Sequence, residues 1–113
     1  MRRAQADTGD KVIARMYNEE KEKLLAACDE NLLGETLESG GLCLKVSEIF
    51  YGKETVTREQ LESMMDECTI ANLVGDEVVA VAMEKNLVRK DSILRIAGIP
   101  HAQFARMPKK LTL

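Results

Sequence analysis

Hydrophobic residues recur along the chain with two different spacings. The first, in the N-terminal part, is the spacing of β-strands. The apolar runs KVIARMY (11–17) and KLLAACD (23–29) enclose the polar segment NEEKE, which is typical of a β-hairpin. The second run is rich in leucine and alanine, so a helix is its alternative. In LCLKVSEIF (42–50), which follows a Gly-Gly turn, apolar and polar residues alternate from the start. This alternation predicts a half-buried strand.

The segment TREQLESMMDEC (57–68) has the helical period. Thr57 and Gln60 have the spacing of a capping box, in which each side chain satisfies a free backbone amide of the first turn. The apolar residues that follow lie on one helical face: Leu61, Met64, Met65 and Cys68. We therefore expect an amphipathic helix.

The C-terminal third predicts a β-α-β unit. TIANLVG (69–75) fits a short strand or an irregular return, EVVAVAMEKN (77–86) a helix capped by Asp76, and DSILRIAG (91–98) a strand. Because valines lower the helix propensity of the middle segment, a strand is the alternative there. The two outer strands of such a unit are parallel and joined by a right-handed crossover.

These elements indicate a single small domain of the α/β or α+β class, with a mixed sheet of about four or five strands and two main helices. We assign the domain to residues 11–104, between a flexible N-terminal tail (1–10) and a basic C-terminal tail (105–113). No apolar run approaches the ~20 residues that span a bilayer, and the N-terminus lacks the apolar core of a secretory signal. We expect a cytoplasmic protein without membrane contact.

Charge is divided unevenly along the chain. The net charge is −3, but residues 85–113 contain seven basic residues and one acidic residue, whereas residues 1–84 contain nine basic and eighteen acidic residues. A basic segment can contact the phosphates of RNA or an acidic protein partner. Internal pairing of an acidic with a basic face, or a solvated tail, is the alternative.

The candidate metal-binding and catalytic groups follow no established pattern. Cys28, Cys43, Cys68 and His101 would make a Cys3His zinc set, but the chain has no CxxC pair. No cysteine has the local signature of a catalytic thiol, and the GxGxxG and P-loop patterns are absent from the sequence. We predict buried thiols, no metal and no cofactor. With two Tyr, two Phe and no Trp, the chain has little from which to build a base-stacking platform.

The segment RIAGIPHAQ (95–103) contains the only histidine, His101, directly after Pro100. We predict that the segment ends the last strand and forms a rigid turn, for which Gly98 is suited. Three side chains would offer hydrogen bonds and charge there to a phosphate, a base edge or a carboxylate: Arg95, His101 and Gln103. Alternatively, the imidazole stabilises the turn by a hydrogen bond to a backbone carbonyl.

Several segments together resemble the archaeal family named domain of unknown function 424. They are AACDENLLGETL, LKVSEIFYG, TIANLVGDEVVAVAMEKNLV and ILRIAGIPHAQ, and the likeness covers roughly residues 11–104. The positions that match the family signature are Asp29, Leu33, Gly34, Tyr51, Gly52, Asn72, Leu73, Val74, Gly75, Gly98, Pro100, His101, Ala102 and Gln103. The resemblance implies an archaeal cytoplasmic protein with a compact α/β fold, and it brings no established activity, substrate or cofactor.

Two functions remain as hypotheses. The first is a non-catalytic binding module for RNA or a ribonucleoprotein partner. Its recognition residues would be His101, Gln103, Asn72, Arg95, Asp29 and Tyr51, and its phosphate-contacting residues Arg89, Lys90 and Arg106. The second is a small enzyme in which His101 is the general acid or base and Asn72 or Asp29 orients it. An exposed strand edge would permit homo-oligomers with either function.

Overall fold

The structure is a computed structural model that describes residues 11–106. The N-terminal tail predicted at residues 1–10 lies outside the described residues, as does all of the C-terminal tail except its first two residues. In chain order the elements are β1 (Val12–Glu19), β2 (Glu22–Asp29), β3 (Thr36–Ser39), β4 (Leu42–Lys45), α1 (Glu48–Tyr51), β5 (Thr55–Val56), α2 (Arg58–Glu67), β6 (Ile70–Val74), α3 (Asp76–Glu84), β7 (Leu94–Ile96) and β8 (Ile99–Ala105). Single 3-10 turns follow β2 and precede β7.

Six strands form a mixed sheet in the order β5-β1-β2-β6-β8-β7. The β2–β6 pair is parallel, and every other neighbouring pair in this sheet is antiparallel. Strands β3 and β4 form a separate antiparallel hairpin. The prediction of a single small α+β domain with a mixed sheet is thus confirmed. No helix in the described residues is long and apolar enough to cross a membrane.

The sheet separates two hydrophobic clusters. Helices α2 and α3 cover one face, which we call the helical face, with Leu61 and Val78 among the buried side chains. The β3–β4 hairpin and α1 cover part of the other face, which we call the hairpin face. Leu37, Val46 and Tyr51 belong to the cluster on that side. Because burial on both faces involves β1, β2 and β6, these strands form the centre of the domain.

The elements with the clearest local patterns are confirmed. β1 and β2 pair along their whole length, from Val12 opposite Asp29 to Glu19 opposite Glu22. The helix at 57–68 is α2, and its capping box is present: the hydroxyl of Thr57 accepts the backbone N–H of Gln60 at 3.1 Å, and Thr57 N–H donates to the Gln60 side chain at 2.8 Å.

The strand predicted over 42–50 is wrong in its second half. The strand β4 ends at Lys45, and the chain then forms the single turn of α1. Ser47 begins this turn because its hydroxyl accepts the backbone N–H of Ile49 at 3.1 Å. Gly52, with φ +82°, ends it. A short apolar run fits a strand and a helical turn equally well, so the alternation alone did not locate this boundary.

The predicted β-α-β unit is present and its two strands are parallel, although they are not neighbours in the sheet. β6 and β7 point the same way, since both are antiparallel to β8. They are not neighbours, because β8 lies between them. The parallel neighbour of β6 is β2, which precedes it by about forty residues in the chain.

Candidate binding face

RIAGIPHAQ is a β-hairpin, so the rigid turn predicted at His101 is wrong. The turn between β7 and β8 consists of Ala97 and Gly98, whose φ angles are +53° and +81°. His101 lies inside β8, directly opposite Val74 of β6. Its side chain therefore projects from a face of the sheet and not from a loop.

Pro100 fits in β8 because no carbonyl needs its missing N–H. Its carbonyl accepts the N–H of Gly75 at 2.9 Å. The carbonyl of Gly75, which an N–H at position 100 would otherwise approach, accepts the N–H of Val79 at 3.1 Å in the first turn of α3. The proline thus marks the place where the β6–β8 ladder ends and the helix begins.

A row of aligned residues crosses four strands on the hairpin face. Arg15 of β1 is opposite Ala26 of β2, Ala26 is opposite Asn72 of β6, and Asn72 is opposite Gln103 of β8. Directly opposite residues project from the same face. Three of the four side chains can make hydrogen bonds, and we call this set the polar row. Gln103 and Arg15 are exposed and Asn72 is half-buried.

A second aligned row lies beside the first, two residues away from it on each strand. It consists of Tyr17, Leu24, Ile70 and Ala105, paired in that order across β1, β2, β6 and β8. We call it the apolar row. Ile70 is 37% exposed, and Leu24 and Tyr17 are half-buried. At β6 and β8 the two rows are open, with Gln103, Ile70 and Ala105 exposed, whereas Ala26 in the middle of the polar row is fully buried.

Helix α1 brings Tyr51 onto the polar row. The Tyr51 side chain is buried, and its hydroxyl donates to Oδ1 of Asn72 at 2.7 Å. Burial raises the pKa of Tyr51, and the nearby Cys28 adds to the shift, so the hydroxyl keeps its proton. The Tyr51 hydroxyl thus holds the Asn72 amide within the polar row.

His101 lies in a third row, on the far side of the polar row from the apolar row. Cys28 and Val74 precede it in this row and both are fully buried. The Nε2 atom of His101 is buried and has no hydrogen-bond partner within residues 11–106. Burial lowers the pKa of the imidazole, which favours its neutral form. The hydrogen bond to a backbone carbonyl that the sequence analysis considered for this imidazole is therefore not made by Nε2.

Asp29 belongs to the helical face, away from the other predicted recognition residues. Its carboxylate accepts the backbone N–H of Glu77 at 3.0 Å and that of Val78 at 3.1 Å, at the start of α3. Burial raises the pKa of Asp29, while the two N–H groups act against this shift. Asp76 was the predicted cap, but it is the first residue of the helix and Gly75 is the N-cap. Asp29 supplies the capping oxygens across a separation of 48 residues.

An aromatic corner, formed by Tyr17, Phe50 and Tyr51, borders the polar row at β1. The rings of Tyr17 and Phe50 stack with centroids 5.7 Å apart, and Phe50 meets Tyr51 edge-on at 4.9 Å. The guanidinium of Arg15 lies 5.7 Å from the Tyr17 ring. Three of the four rings of the chain are thus concentrated here. Sequence reasoning missed this corner because the number of aromatic residues does not show which of them meet in the fold. Tyr17 and Phe50 are 33 residues apart in the chain.

The basic residues of the C-terminal segment that lie within residues 11–106 fall into two groups. Arg89, Lys90 and Arg95 are exposed and make no ion pair in the described part of the chain. They lie at the β7 edge of the sheet and in the turn leading to it. Lys85 pairs with a carboxylate of α2, whereas Arg106 donates to two backbone carbonyls at the end of that helix.

The comparison with protein families identifies the chain. Residues 17–107 match the family described as "Protein of unknown function (DUF424)". The chain belongs to the DUF424 family. The resemblance found in the sequence is confirmed, and the match includes Tyr51, Asn72 and Gln103, whereas Arg15 precedes it.

The DUF424 chain is also similar to a solved structure. The crystal structure of an uncharacterized conserved protein from Methanopyrus kandleri aligns with a TM-score of 0.75 and 27% identity, covering 91% of this chain and 97% of that chain. The comparison with curated proteins finds no match.

Of the six recognition residues predicted for this DUF424 protein, four converge on the hairpin face: Tyr51, Asn72, His101 and Gln103. Asp29 does not, and Arg95 pairs with Pro100 at the β7 edge, where its guanidinium donates to the carbonyl of Gly98 at 3.2 Å. The four could be grouped only through the pairing of β6 with β8, which the sequence pattern did not predict.

The thiols of the DUF424 chain differ in exposure. Cys28 and Cys68 are buried as predicted, and burial raises the pKa of the Cys28 thiol to about 12. Cys43 is exposed on β4, so the prediction of a buried thiol is wrong there. Among residues 11–106 no group of three or more His, Cys, Asp or Glu side chains could hold a metal ion.

Proposed function

We propose that this DUF424 protein is a cytoplasmic, non-catalytic binding module that binds single-stranded RNA, free or within a ribonucleoprotein, on the hairpin face. The observation that carries the proposal is the alignment of the polar row with the apolar row, in which the exposed Gln103 lies beside the exposed Ile70 and Ala105. Sheet-based RNA-binding domains read single strands by stacking bases on aromatic side chains of the sheet while the base edges form hydrogen bonds. Tyr17 is the aromatic member of the apolar row.

The dimensions of the face support this assignment. The polar row crosses three strand intervals of about 4.8 Å each, which gives a width of about 14 Å. Sheet faces of this kind accommodate about two or three bases. The row ends at Arg15 on the β1 side, and Arg89 and Lys90 lie in the turn that leads to β7 at the opposite edge. Cations at both ends suit a backbone that passes across the strands.

The same geometry favours binding over catalysis by His101. A general acid or base needs a group that orients it within hydrogen-bond reach. Both oxygens of Asp29 are engaged at α3, and Oδ1 of Asn72 is engaged by Tyr51. In the described residues Nε2 of His101 has no partner at all. The arrangement offers hydrogen-bond donors to a ligand but gives the imidazole no orienting group.

The test is fluorescence anisotropy of a short, labelled, mixed-sequence single-stranded RNA, titrated with the protein over a series of salt concentrations. We expect binding at low salt that weakens as salt rises, because phosphate contacts release counterions. Lys90→Glu should lower the slope of log affinity against log salt by about 0.7, the value for one phosphate contact on a single strand. Gln103→Ala should weaken binding with the slope unchanged, since it removes a base contact only.

Lys11→Glu is the matched control for charge. Lys11 is exposed and precedes β1, far from the β7 edge, and its reversal changes the net charge by the same amount as Lys90→Glu. It should leave the salt slope close to that of the unaltered protein. Absence of binding at low salt, or equal slopes for both variants, would refute RNA binding on this face and direct attention to a protein partner.

A further inference from the structure

We infer that the open cavity beside α1, at the β1 end of the polar row, binds one phosphate group of the RNA backbone, and that Arg15 is the residue that holds it. This inference rests on the proposed function and names a phosphate contact on its β1 side. The cavity has a volume of about 600 Å³ and is lined by Arg15, Glu48, Ile49, Lys53 and Glu54.

The fold holds the Arg15 guanidinium in one place. Its Nη1 donates to the carbonyl of Ile49 at 3.1 Å and to the hydroxyl of Tyr17 at 3.4 Å. One nitrogen of the guanidinium is thus tied to α1 and to the aromatic corner. A side chain that is already ordered in the free protein loses less entropy when a ligand binds.

The other two nitrogens of the guanidinium are not engaged. Nε and Nη2 of Arg15 make no hydrogen bond within residues 11–106, and the side chain makes no ion pair there. Arginine binds phosphate through parallel N–H groups of its planar fork, which reach two phosphate oxygens at once. Arg15 is therefore a fixed cation with donors to spare for such a group.

Gly52 provides the space in which the guanidinium lies. A Cβ built on Gly52 would be 2.9 Å from Nε and 3.1 Å from Nη2 of Arg15, too close for the two side chains to coexist without a shift. The φ of Gly52, +82°, also favours glycine. Gly52 is therefore a positioning residue, since any side chain at this position would displace the guanidinium.

The charges that line the cavity fit a phosphodiester. Lys53 adds a second cation, but its Nζ lies 4.0 Å from a carboxylate oxygen of Glu48. Arg15 is thus the lining cation that has no carboxylate partner in the described part of the chain. With Glu54 also at the cavity, a phosphodiester with its single charge suits the site better than a phosphate monoester with a charge of about −2.

Arg15 is also in line with the amides of the polar row. Asn72 is two strand intervals from Arg15, or about 10 Å, and Gln103 is three intervals away, or about 14 Å. An RNA strand held by one phosphate at Arg15 therefore reaches both amides with its neighbouring nucleotides.

The experiment uses the labelled mixed-sequence RNA and the salt series that test the proposed function. Arg15→Gln should weaken binding about tenfold at low salt, in the range of a lost hydrogen bond to a charged group. It should also lower the salt slope by about 0.7, the value for one phosphate contact on a single strand. Arg15→Lys should keep the slope but still weaken binding, because lysine keeps the charge and lacks the planar fork.

Lys23→Gln is the matched control for loss of one positive charge. Lys23 is exposed and lies two residues from the buried Leu25 on β2, so it projects from the helical face. This variant should change neither the affinity nor the slope.

Gly52→Ala tests the positioning of the guanidinium without removing its charge. It should weaken binding towards the level of Arg15→Gln. Gly34→Ala is its control, because Gly34 has a φ of +90° but a Cβ there meets nothing within 4 Å, and it should bind as the unaltered protein does. The Arg15 variants alter an exposed side chain and decide the matter if Gly52→Ala does not fold.

The failure of this inference is distinct from that of the proposed function. Unchanged affinity and slope in Arg15→Gln would overturn the inference and leave RNA binding intact, whereas no binding by the unaltered protein overturns both. Full affinity in Arg15→Lys would contradict the role of the planar fork. Displacement of the RNA by inorganic phosphate, but not by chloride at equal ionic strength, would overturn the assignment to a phosphodiester in favour of a free phosphate.

Discussion

Gly75 is the residue at which β6, β8 and α3 meet. Its N–H donates to the carbonyl of Pro100 and its carbonyl accepts the N–H of Val79, so one residue ends the β6–β8 ladder and begins α3. Its φ of +121° is a conformation that side-chain-bearing residues rarely adopt. A Cβ built on Gly75 would lie 2.3 Å from Cγ of Asp29. The carboxylate can reach the helix amides only because position 75 has no side chain.

The first prediction separates the two reasons for a glycine at position 75. Gly75→Ala should lower the free energy of unfolding by about 2 to 4 kcal/mol, because it adds backbone strain and displaces the Asp29 carboxylate. Gly34→Ala is the control, since its φ is +90° but a Cβ there meets nothing within 4 Å. It should cost about 1 kcal/mol from the backbone term alone. Urea denaturation measures both, and equal losses would mean that the displaced carboxylate contributes nothing.

The second prediction concerns pH and His101. Burial lowers the pKa of the folded imidazole below its usual 6.5, so the unfolded chain binds the proton more readily. Stability should therefore be complete above about pH 6.5 and should decline as pH falls from there towards the lower folded pKa. His101→Leu removes this titration and the buried nitrogen that has no partner. As pH falls from 8 to 5, the unfolding free energy of the variant should rise relative to that of the unaltered protein. A difference that stays constant over this range would exclude His101 as the source of the pH dependence.

At the scale of elements, α2 is held at both of its ends by side chains. The capping box of Thr57 and Gln60 satisfies backbone amides at the start. At the end, Nη1 of Arg106 donates to the carbonyl of Asp66 at 2.9 Å and to that of Cys68 at 3.0 Å. A cation at a helix C-terminus also interacts favourably with the helix dipole. Because Arg106 directly follows β8, this contact ties the last strand to the helix on the helical face.

The third prediction assigns Arg106 to stability. Arg106→Gln should lower the free energy of unfolding by about 1 kcal/mol, from lost hydrogen bonds to the two carbonyls and lost interaction with the helix end. The salt slope of RNA binding should stay unchanged, unlike that of Lys90→Glu. Arg89→Gln is the stability control, because Arg89 is exposed and makes no ion pair within residues 11–106. A reduced salt slope for Arg106→Gln would instead support the phosphate contact considered from the sequence.

At the scale of the whole molecule, the sequence predicts local secondary structure but not the pairing of strands that are distant in the chain. The β1–β2 hairpin is encoded by short-range periodicity, and α2 by helical periodicity and a capping box that spans four residues; both elements are present. The rows of the hairpin face depend on β2 pairing with β6 and β6 with β8, which no local period reports. Asn72, His101 and Gln103, which the sequence analysis names as recognition residues, all project from the hairpin face. Their common face follows only from strand register, and the helix-capping role of Asp29 only from tertiary packing.

The parallel β2–β6 pair has a kinetic consequence. The β1–β2 and β7–β8 hairpins close through two-residue turns, whereas joining β6 to β2 requires closure of a loop spanning residues 30–69. Long loops lose more entropy on closure, so local hairpins form first and the β2–β6 junction late in folding. Both rows of the candidate face cross that junction. We therefore expect the face to be absent from partly folded chains, so that a bound ligand is released by global unfolding and not by fraying of one edge.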